Sequence, residues 1–153
     1  MYSRREWLRL SLTGTAAAIL TRSVPAVAAP PAQITVYKSP SCGCCKKWVE
    51  HLGKNGFTVA VKDMDDVGQI KTSLGVPTAL QSCHTAVIAG SGYIIEGHVP
   101  ADVIRKLQKE RPKIAGLAVP GMPSDAPGMD GSGNGYQVIA FERNGKTRVY
   151  ASR

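Results

Sequence analysis

The chain has 153 residues, of which 43% are hydrophobic and 20% charged, with a formal net charge of +8. That length fits one domain with a modest core, and the balance excludes wholesale disorder and, with no apolar run near about 20 residues, a helix spanning a bilayer. Four cysteines are too few for a disulfide-dense scaffold, and three of them crowd into one short stretch instead of being spaced like staples.

Residues 1–28 read as an export signal to be set aside before the fold is considered. Ser3-Arg4-Arg5-Glu6-Trp7-Leu8 is basic and carries an arginine pair, an apolar stretch over 10–20 follows, and Ala26-Val27-Ala28 is a small-residue cleavage site. The aromatic and leucine after the pair, with Thr13, Gly14 and Thr15 diluting the apolar stretch, favour the twin-arginine route over a general secretory signal or a buried N-terminal helix. The expected mature chain, 29–153, is a single periplasmic domain with no stable membrane insertion. Losing Arg4, Arg5, Arg9, Arg22 and Glu6 takes the formal charge from +8 to +5. The remaining Lys and Arg are scattered with no aromatic-flanked block, which predicts a solvated surface and no nucleic-acid partner.

Gln33-Ile34-Thr35-Val36-Tyr37-Lys38 is β-branched and aromatic and predicts a first strand, ended by Ser39-Pro40-Ser41. A helix follows over 45–54, where Trp48, Val49 and Leu52 fall at helical spacing and Gly53 and Gly56 mark the stop. A second strand is expected over 57–61 and a second helix over 65–74, closed by Gly75 and Pro77. Strands over 84–89 and 93–99 are joined at Gly90-Ser91-Gly92, and Pro100 takes the first position of a third helix carrying Val103, Ile104 and Leu107. This order predicts an α/β fold, a thioredoxin-like mixed sheet flanked by helices, with its core over 33–112. The sixteen Gly and ten Pro cluster late, so 113–135 is expected to be an irregular Pro/Gly-rich loop. A C-terminal β-hairpin over 136–151, turned at Asn144-Gly145, is appended after it.

The chemistry is concentrated at Cys42-Gly43-Cys44-Cys45, directly after the first strand and at the start of the first helix. Free N–H groups and the positive end of the dipole favour thiolates there, as nucleophiles or as metal ligands. Cys42 and Cys45 have the spacing of a dithiol switch, but the added Cys44 is more than such a switch needs and suits a soft metal better. Cys83-His84 opens the third strand, which lies beside the first in this fold, so a fourth sulfur and an imidazole can converge on the cluster. His98 closes the neighbouring strand with a weaker case, and His51 is expected on a solvent-facing turn. Met122 and Met129 each follow a glycine in a loop with few other apolar side chains, and thioethers beside thiolates select Cu(I) over hard ions.

Several stretches together are distinctive: Tyr37-Lys38-Ser39-Pro40-Ser41-Cys42-Gly43-Cys44-Cys45-Lys46-Lys47-Trp48, Gly75-Val76-Pro77, Ser82-Cys83-His84-Thr85-Ala86, Glu96-Gly97-His98-Val99-Pro100-Ala101 and Gly116-Leu117-Ala118-Val119-Pro120-Gly121-Met122-Pro123. Across about 34–131 the chain resembles the CopG-type periplasmic metal-binding proteins of copper resistance. The resemblance implies a thioredoxin-like fold whose cysteines bind copper as Cu(I), in a multinuclear cluster or singly, in exchange with other periplasmic copper-handling proteins or a redox partner. It points to Cys42, Cys44, Cys45 and Cys83 as thiolate ligands and extends to His84, His98, Met122 and Met129. Two other readings stay open. One is a thiol-disulfide oxidoreductase using Cys42 and Cys45, which the likeness of Gly75-Val76-Pro77-Thr78 to the proline loop facing thioredoxin active sites favours; either Pro77 or Cys83 can occupy that place. The other is a structural zinc site made by the four cysteines.

Overall fold

The computed structural model describes residues 33–132 and 135–153, so the proposed signal over 1–28 lies outside the described residues. The elements run β1 (Ile34–Lys38), α1 (Gly43–Lys54), β2 (Val59–Asp63), α2 (Gly68–Leu74), a 3-10 turn (Thr78–Leu80), β3 (Thr85–Ile88), β4 (Ile94–Glu96), α3 (Ala101–Glu110), β5 (Gly116–Ala118), β6 (Gln137–Phe141) and β7 (Thr147–Ser152). They build one seven-stranded mixed sheet in the order β2-β1-β3-β4-β5-β6-β7. β1 pairs parallel to β2 and antiparallel to β3, and β4 pairs antiparallel to β3 and parallel to β5. Among the described residues no helix is long and apolar enough to cross a membrane.

Alternation on β1 buries Ile34 and Val36 against α1, whose Cys45, Trp48 and Leu52 form its inner stripe. α3 places Val103, Ile104 and Leu107 on the same core, while Val76, Leu80, Ile94, Ala118 and Phe141 pack together as a second one. α1 and α3 thus share a core, and the cysteine-bearing end of α1 is set against the sheet by Trp48, which is fully buried.

Several boundaries move for identifiable reasons. Phe57 is buried and gives its N–H to Leu52 O at the end of α1, so β2 begins two residues later than its β-branched pattern suggests. The second helix starts at Gly68 because the Asp66 carboxylate accepts the Gly68 N–H at 2.8 Å and makes the preceding residues an entry turn. Pro100 is the residue before α3, in extended conformation, with its carbonyl accepting from Ile104.

The larger correction concerns the late segment. Gly116-Leu117-Ala118 is a strand in the interior of the sheet, and it makes the hairpin β6–β7 a continuation of that sheet and not an appendage. Gly116 is what permits this: a Cβ there would stand 2.1 Å from the carbonyl oxygen of Ile94.

Candidate metal centre

Cys42 precedes α1 in extended conformation as its N-cap, and Cys44 and Cys45 lie in the first turn. Cys45 points into the core, and Cys42 and Cys44 are half-buried at the edge. Cys42 and Cys45 are joined in a disulfide, and Cys44 and Cys83 are free thiols. Cys42 Sγ lies 3.5 Å from Cys44 Sγ. Cys83 comes from the turn before β3, and the antiparallel β1–β3 pairing carries that turn to the C-terminal end of β1, where α1 starts. It is therefore Cys83 that faces the helix-one loop, while Pro77 leads into the 3-10 turn. No peptide bond among the described residues is cis.

The sulfur atoms of Cys42, Cys44, Cys45 and Cys83 all lie within 4.8 Å of one another, and so do the donor atoms of Cys45, Cys83, His84 and His98. Cys83 Sγ is 3.4 Å from His84 Nδ1 and 3.1 Å from His98 Nε2. Six of the eight residues singled out from the sequence thus meet in one place. Met122 and Met129 are placed differently: Met122 is 44% exposed with φ +47°, and Met129 is half-buried against the main core.

Burial sets the protonation of the group. It pushes the Cys83 thiol up to about 11, with the neighbouring Cys44 adding to the effect. The same burial holds His84 well below the usual histidine range, helped by His98 and Lys71, and lowers His98. A protonated thiol therefore lies among neutral imidazoles, and a cation entering here displaces the Cys83 proton. Among the described residues His84 Nε2 has no hydrogen-bond partner, although the side chain is fully buried. Thiols beside imidazole nitrogens, His84 Nδ1 and His98 Nε2 among them, are a donor set that fits a soft cation, copper included.

Other residues hold this site from outside its set of donor atoms. Trp48 packs against His84 with ring centroids 4.3 Å apart and planes tilted by 40°, and gives its indole N–H to Val99 O at 2.9 Å. Glu96 is fully buried. Its Oε1 accepts from the Ser82 N–H at 2.6 Å and from Lys71 Nζ at 2.5 Å, and its Oε2 from the Thr85 hydroxyl at 2.5 Å. Ser82 and Thr85 flank Cys83 and His84, so one carboxylate brackets both. A charged residue at the end of an apolar strand was the available signal. His51 also departs from expectation: its Nε2 accepts the Ala101 N–H at 3.2 Å and caps α3.

Two solved structures superpose on this chain, both of copper resistance protein CopG, in form 2 and form 1. Each has a TM-score of 0.74 and 44% sequence identity; they cover 81% of this chain and 99% and 98% of their own chains respectively. The chain belongs to the CopG family. The model of a family described as a protein of unknown function, DUF411, matches residues 80–129, which carry Cys83, His84, His98, Met122 and Met129. No curated protein matches. The CopG relationship extends well beyond that segment, and so takes in more than the loops that carry the site.

Proposed function

We propose that this protein binds copper as Cu(I) through the reduced thiolates of Cys42, Cys44, Cys45 and Cys83. His84 and His98 add nitrogen donors, and Met122 and Met129 add thioethers from the late loop. The observation that carries this reading is the meeting of four sulfur atoms within 4.8 Å, drawn from two places 38 residues or more apart in the chain. Thiolates and thioethers suit Cu(I) better than hard cations, and four sulfurs so close can bridge more than one ion, which supports a multinuclear cluster. The names of the similar structures, copper resistance proteins, support copper as the cargo. The unit from β1 to α3, with α1 leading directly from β1 and a β2-β1-β3-β4 order, supports a thioredoxin-like description, extended by β5, β6 and β7.

The role that follows is copper sequestration, transfer or redox cycling in the periplasm, in exchange with other periplasmic copper-handling proteins. The arginine pair and the Ala26-Val27-Ala28 site support export by the twin-arginine route. A second reading, thiol-disulfide exchange, is favoured by the Cys42–Cys45 disulfide. That bond takes up two electrons and two protons to give the dithiol, and in the oxidised form only Cys44 and Cys83 remain as thiols.

The deciding experiment is metal analysis with thiol titration on protein isolated anaerobically from its own compartment. Bound copper with four reduced thiols is expected. A metal-free protein with the Cys42–Cys45 disulfide intact, reduced by a dithiol substrate and reoxidised by an added small-molecule disulfide over repeated turnovers, would make it an oxidoreductase instead.

A further inference from the structure

The segment 126–131, read from the sequence as part of an irregular loop, makes a specific contact with the site. The carbonyl oxygen of Pro127 lies 2.6 Å from His98 Nδ1. A carbonyl oxygen can only accept, so Nδ1 carries the proton and Nε2 keeps its lone pair. That lone pair faces Cys83 Sγ at 3.1 Å. We propose that Pro127 and Gly128 form a strap that fixes the tautomer and direction of His98, presenting Nε2 as a donor in advance of copper. The purpose of the strap rests on the reading of His98 as a ligand given above.

The strap is held against the helix that bears the cysteines. Gly128 has φ +88°, and a Cβ there would stand 2.7 Å from the backbone nitrogen of Trp48 and 2.9 Å from the Cys44 carbonyl oxygen. Only glycine allows this approach, because an L side chain meets both the conformational penalty and the backbone of α1. The segment is also tied internally. The Met129 N–H donates to Ala126 O at 3.0 Å and the Gly131 N–H to Ser124 O at 2.9 Å, while Asp130 pairs with Lys47 of α1. From the other side, the Trp48 indole fixes Val99, the residue after His98. The imidazole is thereby held by its backbone through α1 and by Nδ1 through the strap. Histidine ligands of metals commonly donate their second N–H in this way, and losing the acceptor costs roughly 10–100-fold in affinity.

The test reads the metal-free protein. Long-range proton–nitrogen NMR of the histidine rings, above the usual histidine titration range, should show His98 wholly as the Nδ1–H tautomer. The Nε2–H form in the wild type would overturn the proposal. Gly128→Ala should convert His98 to a mixture or to the Nε2–H form and weaken Cu(I) binding about 10–100-fold. A folded Gly128→Ala protein with the Nδ1–H form retained would also overturn it. If that variant fails to fold, the wild-type spectrum still decides. His98→Ala tests the ligand reading separately: unchanged copper affinity there would remove His98 from the metal site whatever its tautomer.

Discussion

Lys71 on α2 and Glu96 on β4 form an ion pair of 2.5 Å closed off from solvent, with side chains 6% and 0% exposed. Removing two charges from water is costly, and such a pair is weak evidence for stability in its own right. Its geometry suggests another use, because the same carboxylate holds Ser82 and Thr85 on either side of Cys83 and His84. Glu96→Ala is expected to cost about 3–5 kcal/mol by stranding the lysine. Lys71→Met with Glu96→Met should recover most of that stability while Cu(I) affinity stays reduced, on the order of 10-fold as for a lost outer-shell partner. Denaturant unfolding beside a copper competition titration checks it. Wild-type affinity in the double variant would make the pair purely structural.

The four cysteines should behave as one unit. Cys83→Ser is expected to lower Cu(I) affinity as much as Cys44→Ser does, by more than the roughly 10–100-fold typical of an outer-shell loss, because a hydroxyl is too hard to replace a thiolate. Competition against a chelator of known affinity measures both. If only Cys42 and Cys45 matter, the disulfide between them is the working part of the site.

The elements that place these cysteines were legible in the sequence because each has a clear period. Ile34 and Val36 alternate, and Cys45, Trp48 and Leu52 repeat at helical spacing, so the position of the cysteine motif between β1 and α1 could be read directly. β5 was not legible. Gly-Leu-Ala is too short to show a period, and its place in the sheet depends on a backbone approach at Gly116 that only the tertiary structure reveals. Glu96, Pro127 and His51 were missed for a related reason. Pro127 and His51 act through single hydrogen bonds to residues 29 and 50 positions away and Glu96 through bonds to residues 11, 14 and 25 positions away, and no local pattern identifies such partners.

His51 predicts a pH dependence of folding. Burial lowers its pKa from the usual 6.5, so the unfolded chain binds a proton more readily than the folded one. Its contribution is therefore complete above about pH 6.5 and is lost as pH falls towards and through the folded value, where the protonated ring no longer accepts from Ala101. The ring is half-buried and partly screened by solvent, so the loss is at most about 1 kcal/mol. His51→Gln, which keeps an acceptor, should flatten this part of the profile of unfolding midpoint against pH. A variant profile parallel to the wild type would assign the acid sensitivity elsewhere.

Export is open to a direct test. Changing Arg4 and Arg5 to lysine should stop appearance in the periplasm and leave a folded precursor in the cytoplasm, because the pair is an address read by a receptor. Cell fractionation follows the precursor and the shortened mature chain. Normal export of the double variant would point to a general secretory signal.

Met122 and Met129 separate ligation from packing, because the structure gives them different surroundings. Met122 is exposed and holds a positive φ with no burial to favour it, while Met129 lies against the core that contains Trp48. A side chain of 44% exposure has little packing to lose, so a thioether role is the simplest reason for an apolar residue in that conformation. Met122→Leu with Met129→Leu preserves volume and apolarity, and such exchanges usually cost less than about 1.5 kcal/mol. The double variant should therefore melt close to the wild type yet bind Cu(I) more weakly or release it faster to a chelator. Of the two single variants, Met129→Leu should carry whatever small stability change appears, since only Met129 touches the core. Unchanged copper binding with a lowered melting temperature would make both residues packing elements and leave the metal to the sulfur and nitrogen donors at the start of α1 and β3.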